Sequence, residues 1–232
     1  IGMTSYYAGI NRYEHLAELW SDFLTDYELY EEGLAENPIL KENADALKAV
    51  TITLNKMADG GIYDQIGGGF ARYSVDAYWK APHFEKMLYD NAQLVSLYSK
   101  AYLKDKNKLY KDVVQETLHF IENELTSNNG AFYSSLDADS KNSSGEKEEG
   151  AFYEWTEEEL IELLQDDFTL FKEFYNINDF GLWENSKYVL IRNKSKVEFA
   201  KEQNITIVVL NGKFLSGKRF YIKQEIKEAN LI

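Results

Sequence analysis

The chain contains no cysteine among its 232 residues, which removes disulfides, thiol nucleophiles and cysteine-ligated zinc together and leaves the compartment open. Histidine is nearly as scarce. His15, His83 and His119 show no metal-ligand spacing, and neither a metal nor any other cofactor is expected. Basic residues are outnumbered, 25 Lys and Arg against 39 Asp and Glu, for a net charge of −14. That balance argues against nucleic acid and against an anionic membrane surface as partners, since both demand concentrated positive charge. No apolar run is long enough to span a bilayer and no signal-peptide pattern opens the chain, so the expected location is cytoplasmic.

What is present is a foldable core. Apolar residues at 44% and aromatics at 15% exclude general disorder, and the length suits one large domain or two small ones. The chain opens on Ile1 rather than Met, as a piece of something longer would.

The most informative stretch runs from Gly60 to Gln93, GGIYDQIGGGFARYSVDAYWKAPHFEKMLYDNAQ, and holds five of the fourteen glycines. Residues 62–66 and 70–75 read as two short strands about Gly67-Gly68-Gly69. The glycines match neither the dinucleotide nor the Walker spacing, so they serve turns and close approach rather than phosphate. A helix is expected from Pro82 to about Leu103, with Phe84, Met87, Leu88, Leu94, Leu97, Tyr98 and Ala101 on its apolar stripe. His83, Asp90 and Asn91 fall on or beside that stripe. Buried polar groups must be hydrogen-bonded, so these three either satisfy one another and the glycine-rich loop or line a wet pocket at the helix mouth.

The remaining elements follow the same periodicities. Helices are expected over residues 12–32 (with His15 on the surface), 40–58 and 109–125, the last packing back on the Pro82 helix as an αα-hairpin. Residues 130–156 read as a β-excursion with a solvated tip. Within it Asp137 and Asp139 share one side of an extended segment, a pattern that serves acid–base work, sugar hydroxyls or calcium, and equally ordinary turns. Thr156 and Glu159 form a capping box for a further helix, residues 168–175 suggest another, 188–191 and 206–210 look like strands, and 197–203 looks helical.

Glycine–aromatic strand starts recur at Gly61, Gly68, Gly130, Gly150 and Gly181, alternating with helices. Such repetition fits a mainly α fold, an α/α toroid with short β-hairpins at one end forming a cleft.

The motifs Gly60–Gln93, LDADS (Leu136–Ser140) and GAFYEWT (Gly150–Thr156) closely resemble the thioredoxin-domain-containing proteins of the spermatogenesis-associated protein 20 family, over roughly residues 44–191. The resemblance implies an (α/α)-toroid region similar to N-acylglucosamine 2-epimerase and the six-hairpin glycosidases, here about half complete. It implies a toroid domain over residues 1–203 and a divergent tail over 204–232, with the thioredoxin-like domain absent. The missing thioredoxin-like domain and the rest of the toroid would then be partners in a full-length protein. The expected ligand is a sugar-like small molecule. In an epimerase, His83 would be the base, Asp90 would orient it, and Arg72 or Lys86 would stabilise an enolate oxygen. In a glycosidase, two carboxylates from Asp64, Asp90, Asp137 and Asp139 would flank the bond. Tyr73, Trp79 and Trp155 would stack on sugar rings, with Asn91 as a further polar contact. The alternative is a scaffold or protein-interaction domain without catalysis.

Overall fold

The computed structural model describes residues 38–214 apart from residue 143. The expected helix over 12–32, His15 and the end of the tail lie outside the described residues. About half of the described residues are helical, and the strands are short antiparallel pairs.

Helix α1 (Pro38–Asp59) buries Val50, Leu54, Met57 and Ala58 and stops at Gly60-Gly61. The stop is also a packing contact. A Cβ on Gly60 would lie 2.3 Å from the Trp79 carbonyl oxygen, and one on Gly61 would lie 2.0 Å from that of Lys80. Glycine is therefore required at both positions. The opposing loop is organised by one carboxylate: Asp76 accepts from the backbone N–H groups of Tyr78, Lys80 and Ala81.

The Gly67–Gly69 turn is narrower than two full strands. A single bridge joins Tyr63 to Phe70, and the Asp64 Oδ1 accepts from the N–H groups of Ile66 and Gly67. Strand β1 (Tyr73–Ser74) then pairs antiparallel with β2 (Pro82–His83), and β3 (Lys86–Met87) pairs with β4 (Ser135–Leu136). Residues 82–87 are therefore extended, where a helix is expected from the sequence. Over six residues the apolar positions fit either period, and partners distant in sequence decide the outcome. Helix α2 (Leu88–Asp105) begins only after the ladder ends.

Helix α2 and α3 (Lys108–Glu124) form the expected hairpin. Lys106 takes the left-handed conformation at φ 51°, and Asn107 caps α3 by accepting from the Leu109 N–H. Tyr98, Ala101, Tyr110 and Val113 join the α1 residues, Ile62, Tyr63 and Phe70 in a first core cluster, where the Tyr98 hydroxyl donates to the Leu54 carbonyl at 2.7 Å. Each large side chain buried in this way contributes about 1.5–3 kcal/mol.

After β4, strands β5 (Asp139–Lys141) and β6 (Lys147–Glu149) form a projecting hairpin, the expected excursion. Helices α4 (Glu157–Leu164), α5 (Phe168–Phe174), α6 (Lys196–Glu202) and α7 (Ile207–Phe214) gather around a second cluster of Trp155, Leu160, Phe171, Phe174, Phe199 and Leu210. Capping boxes at Thr156/Glu159 and Ser195/Glu198 start α4 and α6. Two sequence expectations give way here. Residues 207–214 are helical rather than a strand, because Leu210 is buried against other helices. Residues 188–191 make isolated bridges through Tyr188 instead of a strand. The two halves are clasped at Arg192, whose N–H donates to the Asp59 carbonyl at 2.7 Å and whose guanidinium donates to Ala58 O at 3.0 Å.

Candidate functional site

The glycine-rich turn, the β1–β2 ladder and the first turn of α2 meet at one end of the α2–α3 hairpin. They sort the candidate residues into a buried foundation and an accessible rim.

Asn91 belongs to the foundation. It is fully buried, its Oδ1 accepts from the Phe70 N–H at 2.7 Å, and its Nδ2 donates to the carbonyls of Phe70 (3.0 Å) and Met87 (2.8 Å). Lys86 is 2% exposed and pairs with Asp64 at 3.0 Å while donating to the Gly68 carbonyl at 2.9 Å. Its ammonium also lies 4.4 Å from the Phe120 ring centroid and 4.7 Å from that of Tyr153. Burial pulls the Lys86 pKa below the usual ammonium range, and the neighbouring Asp64 carboxylate works against that shift. With every polar atom turned inward, neither Lys86 nor Asn91 reaches a ligand in this arrangement. A cavity of about 20 Å³ borders Tyr63, Asp64, Phe84, Lys86 and Tyr153. That is room for about one water molecule.

The rim carries Arg72, Tyr73, His83, Glu85 and Asp90. Pairing of β1 with β2 sets Tyr73 opposite His83, and the two rings stand 5.0 Å apart. Arg72 bonds Glu85 at 3.0 Å, side chain to side chain, while the Arg72 N–H donates to the Glu85 carbonyl at 2.8 Å. Asp90 sits beside this ion pair in the first turn of α2. Burial raises its carboxyl pKa to about 6; Arg72 opposes the shift and Glu85 adds to it. Two polar atoms are left over. Asp90 Oδ2 and His83 Nδ1 are both buried without a hydrogen-bond partner among the described residues.

The expected His83–Asp90 pairing does not form. The strand ladder turns His83 toward Tyr73 and Glu149, with Nε2 4.0 Å from Glu149 Oε1, whereas the charges acting on Asp90 are Arg72 and Glu85. The carboxylate quartet is also dispersed. Asp64 is held by Lys86, and Asp137 and Asp139 are exposed at the base of the β5–β6 hairpin, where Asp137 Oδ1 accepts from the Asp139 N–H at 3.3 Å. This is turn chemistry. Trp155 is buried in the second cluster and Trp79 is half-buried against the first, at φ 61°. Trp155 has no face open to solvent, and Trp79 packs on the first cluster.

Glu85 and Glu149 are the residues that sequence reasoning missed. Read as helix, Glu85 falls on the solvent side, and only the strand pairing turns it to Arg72. Glu149 sits in a charged run, and nothing in the sequence marks it out. A third group is structural: Lys187 bonds Glu148 at 2.6 Å and the buried Glu154 at 3.2 Å, holding the hairpin to the body. No group of three or more acidic or histidine side chains with metal-holding geometry occurs among the described residues, and none of their helices is long and apolar enough to cross a membrane.

No family model matches the chain. Curated relatives do. The human and mouse proteins named spermatogenesis-associated protein 20 are each 43% identical over 127 residues, 54% of this chain and 16% of theirs. An uncharacterised Caenorhabditis elegans protein is 38% identical over 148 residues, 59% of this chain and 20% of its own. The chain spans only a small part of the length of these relatives. Across the matched half of its length, the chain is similar to the proteins named spermatogenesis-associated protein 20.

Proposed function

We propose that the chain forms part of an α/α-toroid cleft that binds a sugar-like small molecule at the rim of the glycine-rich end. One observation carries this reading: the foundation is completely bonded, yet the rim above it leaves Asp90 and His83 each with an unpartnered polar atom beside the Arg72–Glu85 pair. Polyhydroxyl ligands are recognised by such mixtures of charged acceptors, donors and aromatic edges. The small cavity lies beneath the rim, so the ligand binds above it. Any chemistry falls to Asp90, whose carboxyl is poised for proton exchange near neutrality.

A thermal-shift screen against mono- and disaccharides, on the wild type and on Asp90→Asn, tests the reading. A sugar at a hundred times its dissociation constant stabilises by about 2.7 kcal/mol. The expected result is a raised midpoint for particular sugars that is lost in Asp90→Asn, whose unliganded melt is not lowered. No shift with any sugar, together with a lowered melt for the variant, defeats it.

The second reading is a scaffold domain without catalysis, and the foundation favours it. Asn91 and Lys86 spend all their polar capacity on holding the loop to α2, as residues retained for architecture do.

A further inference from the structure

The β5–β6 hairpin brings a second carboxylate to the rim. Its two strands alternate, and consecutive residues of β6 face opposite ways. Glu148 turns to the body, where it bonds Lys187 at 2.6 Å and accepts from Asn142 Nδ2 at 3.1 Å. Glu149 turns to His83. The base of the hairpin is fixed by Ala138, buried with Phe84 and Val189, and by the Gly150 N–H, which donates to the Ala138 carbonyl. Glu149 is therefore placed by a braced element.

The gap between the two groups is informative. His83 Nε2 and Glu149 Oε1 stand 4.0 Å apart, beyond the 2.7–3.2 Å of a direct hydrogen bond. A hydroxyl oxygen about 2.8 Å from each atom fits across that distance, accepting from an Nε2–H and donating to the carboxylate. Both side chains are reachable from solvent, 33% and 53% exposed, and neither makes another side-chain bond among the described residues. The Tyr73 ring flanks the imidazole.

We infer that Glu149 is a ligand-binding residue of the rim, and that a ligand hydroxyl bridges it to His83. The inference rests on the sugar-like ligand proposed above and narrows it. The ligand offers one hydroxyl at the Tyr73–His83 edge in addition to any group it presents to Asp90. The hairpin thereby selects for a polyol rather than for a simple anion, which Glu149 would repel.

The test is calorimetric titration of the full 232-residue chain with glucose, N-acetylglucosamine and maltose. The wild type is compared with Glu149→Ala, Glu149→Gln and the hairpin-tip control Glu146→Gln. A hydrogen bond to a charged group corresponds to about tenfold or more in affinity, so Glu149→Ala is expected to weaken binding by that factor. Glu149→Gln keeps an acceptor and is expected to fall between, and Glu146→Gln to match the wild type. Unchanged affinity in Glu149→Ala overturns the inference and leaves the cleft standing. Equal losses in Glu146→Gln and Glu149→Ala overturn it as well, since diffuse charge would then be responsible. No binding by the wild type overturns both proposals together.

Discussion

Asn91 serves the Phe70 peptide as a neighbouring strand would. One side chain supplies the acceptor for its N–H and the donor for its carbonyl, at 2.7 and 3.0 Å. The same amide donates to Met87 O one turn earlier, so a single residue fastens the glycine-rich turn to the start of α2.

Loss of that amide strands a buried donor and a buried acceptor, both on the Phe70 peptide. Asn91→Leu is expected to lower stability by about 3 kcal/mol or more, since each buried unsatisfied group costs about 1–3 kcal/mol. Urea unfolding monitored by tryptophan fluorescence measures it. A change within about 0.5 kcal/mol would show that the turn holds without the clasp.

Lys86→Met keeps the bulk of the side chain but leaves the part-buried Asp64 carboxylate without the Lys86 ammonium. Breaking one partner of a buried pair costs about 3–5 kcal/mol. Adding Asp64→Asn removes the stranded charge, and the double variant is expected to recover a measurable part of the loss. A double variant no more stable than Lys86→Met would place the cost in the aromatic contacts with Phe120 and Tyr153 instead.

The Asp90 carboxyl titrates at about 6 in the folded chain, above its ordinary value in the unfolded one. The folded state therefore holds that proton more tightly, and stability falls as the pH rises through about 6. Below the usual carboxylate range the difference vanishes. Asp90→Asn imitates the protonated form, so at about pH 7.5 it is expected to be more stable than wild type by about 1 kcal/mol, a figure reduced for partial solvent contact. Melts at about pH 4 and about pH 7.5 check the sign. A variant less stable than wild type at both would contradict it.

Gly150 stands at φ 77°, and a Cβ there would lie 2.4 Å from the Phe84 ring. Gly150→Ala is expected to destabilise the chain by about 2 kcal/mol or more through strain and overpacking. Gly145, also at positive φ but with open space around it, separates the two effects. Gly145→Ala is expected to cost only about 1 kcal/mol. Differential scanning calorimetry of the pair reads the contrast, and equal losses would assign the whole effect to backbone strain.

The elements readable from sequence are those written by local chemistry. The α2–α3 hairpin shows in its periodicity and polar turn, and α4 shows in the Thr156/Glu159 capping box. What could not be read depends on distant partners. Residues 82–87 are extended because Tyr73–Ser74 and Ser135–Leu136 lie alongside them, and neither partner is visible in a local window. The same blindness governs the site. His83, Asp90 and Asn91 were identifiable as polar residues in an apolar neighbourhood, whereas Lys86, read as helix, falls on the solvent side and is buried only by the strand pairing. Their division into inward and outward groups follows from the strand register, as does the arrival of Glu149 from a hairpin more than fifty residues away.

The clasp at Arg192 bears on how the chain can be cut. Its bonds to Ala58 and Asp59 tie the base of a 134-residue span, so the Asp59 carbonyl is answered from beyond that span while the Ala58 carbonyl is shared with Gln65 Nε2. A recombinant piece that stops before Arg192 would keep every rim residue in its sequence, lose the donor to the Asp59 carbonyl and leave the Ala58 carbonyl to Gln65 Nε2. A piece that keeps the clasp therefore reaches well past the last residue of the rim, and one that keeps the second core cluster whole reaches on to Leu210.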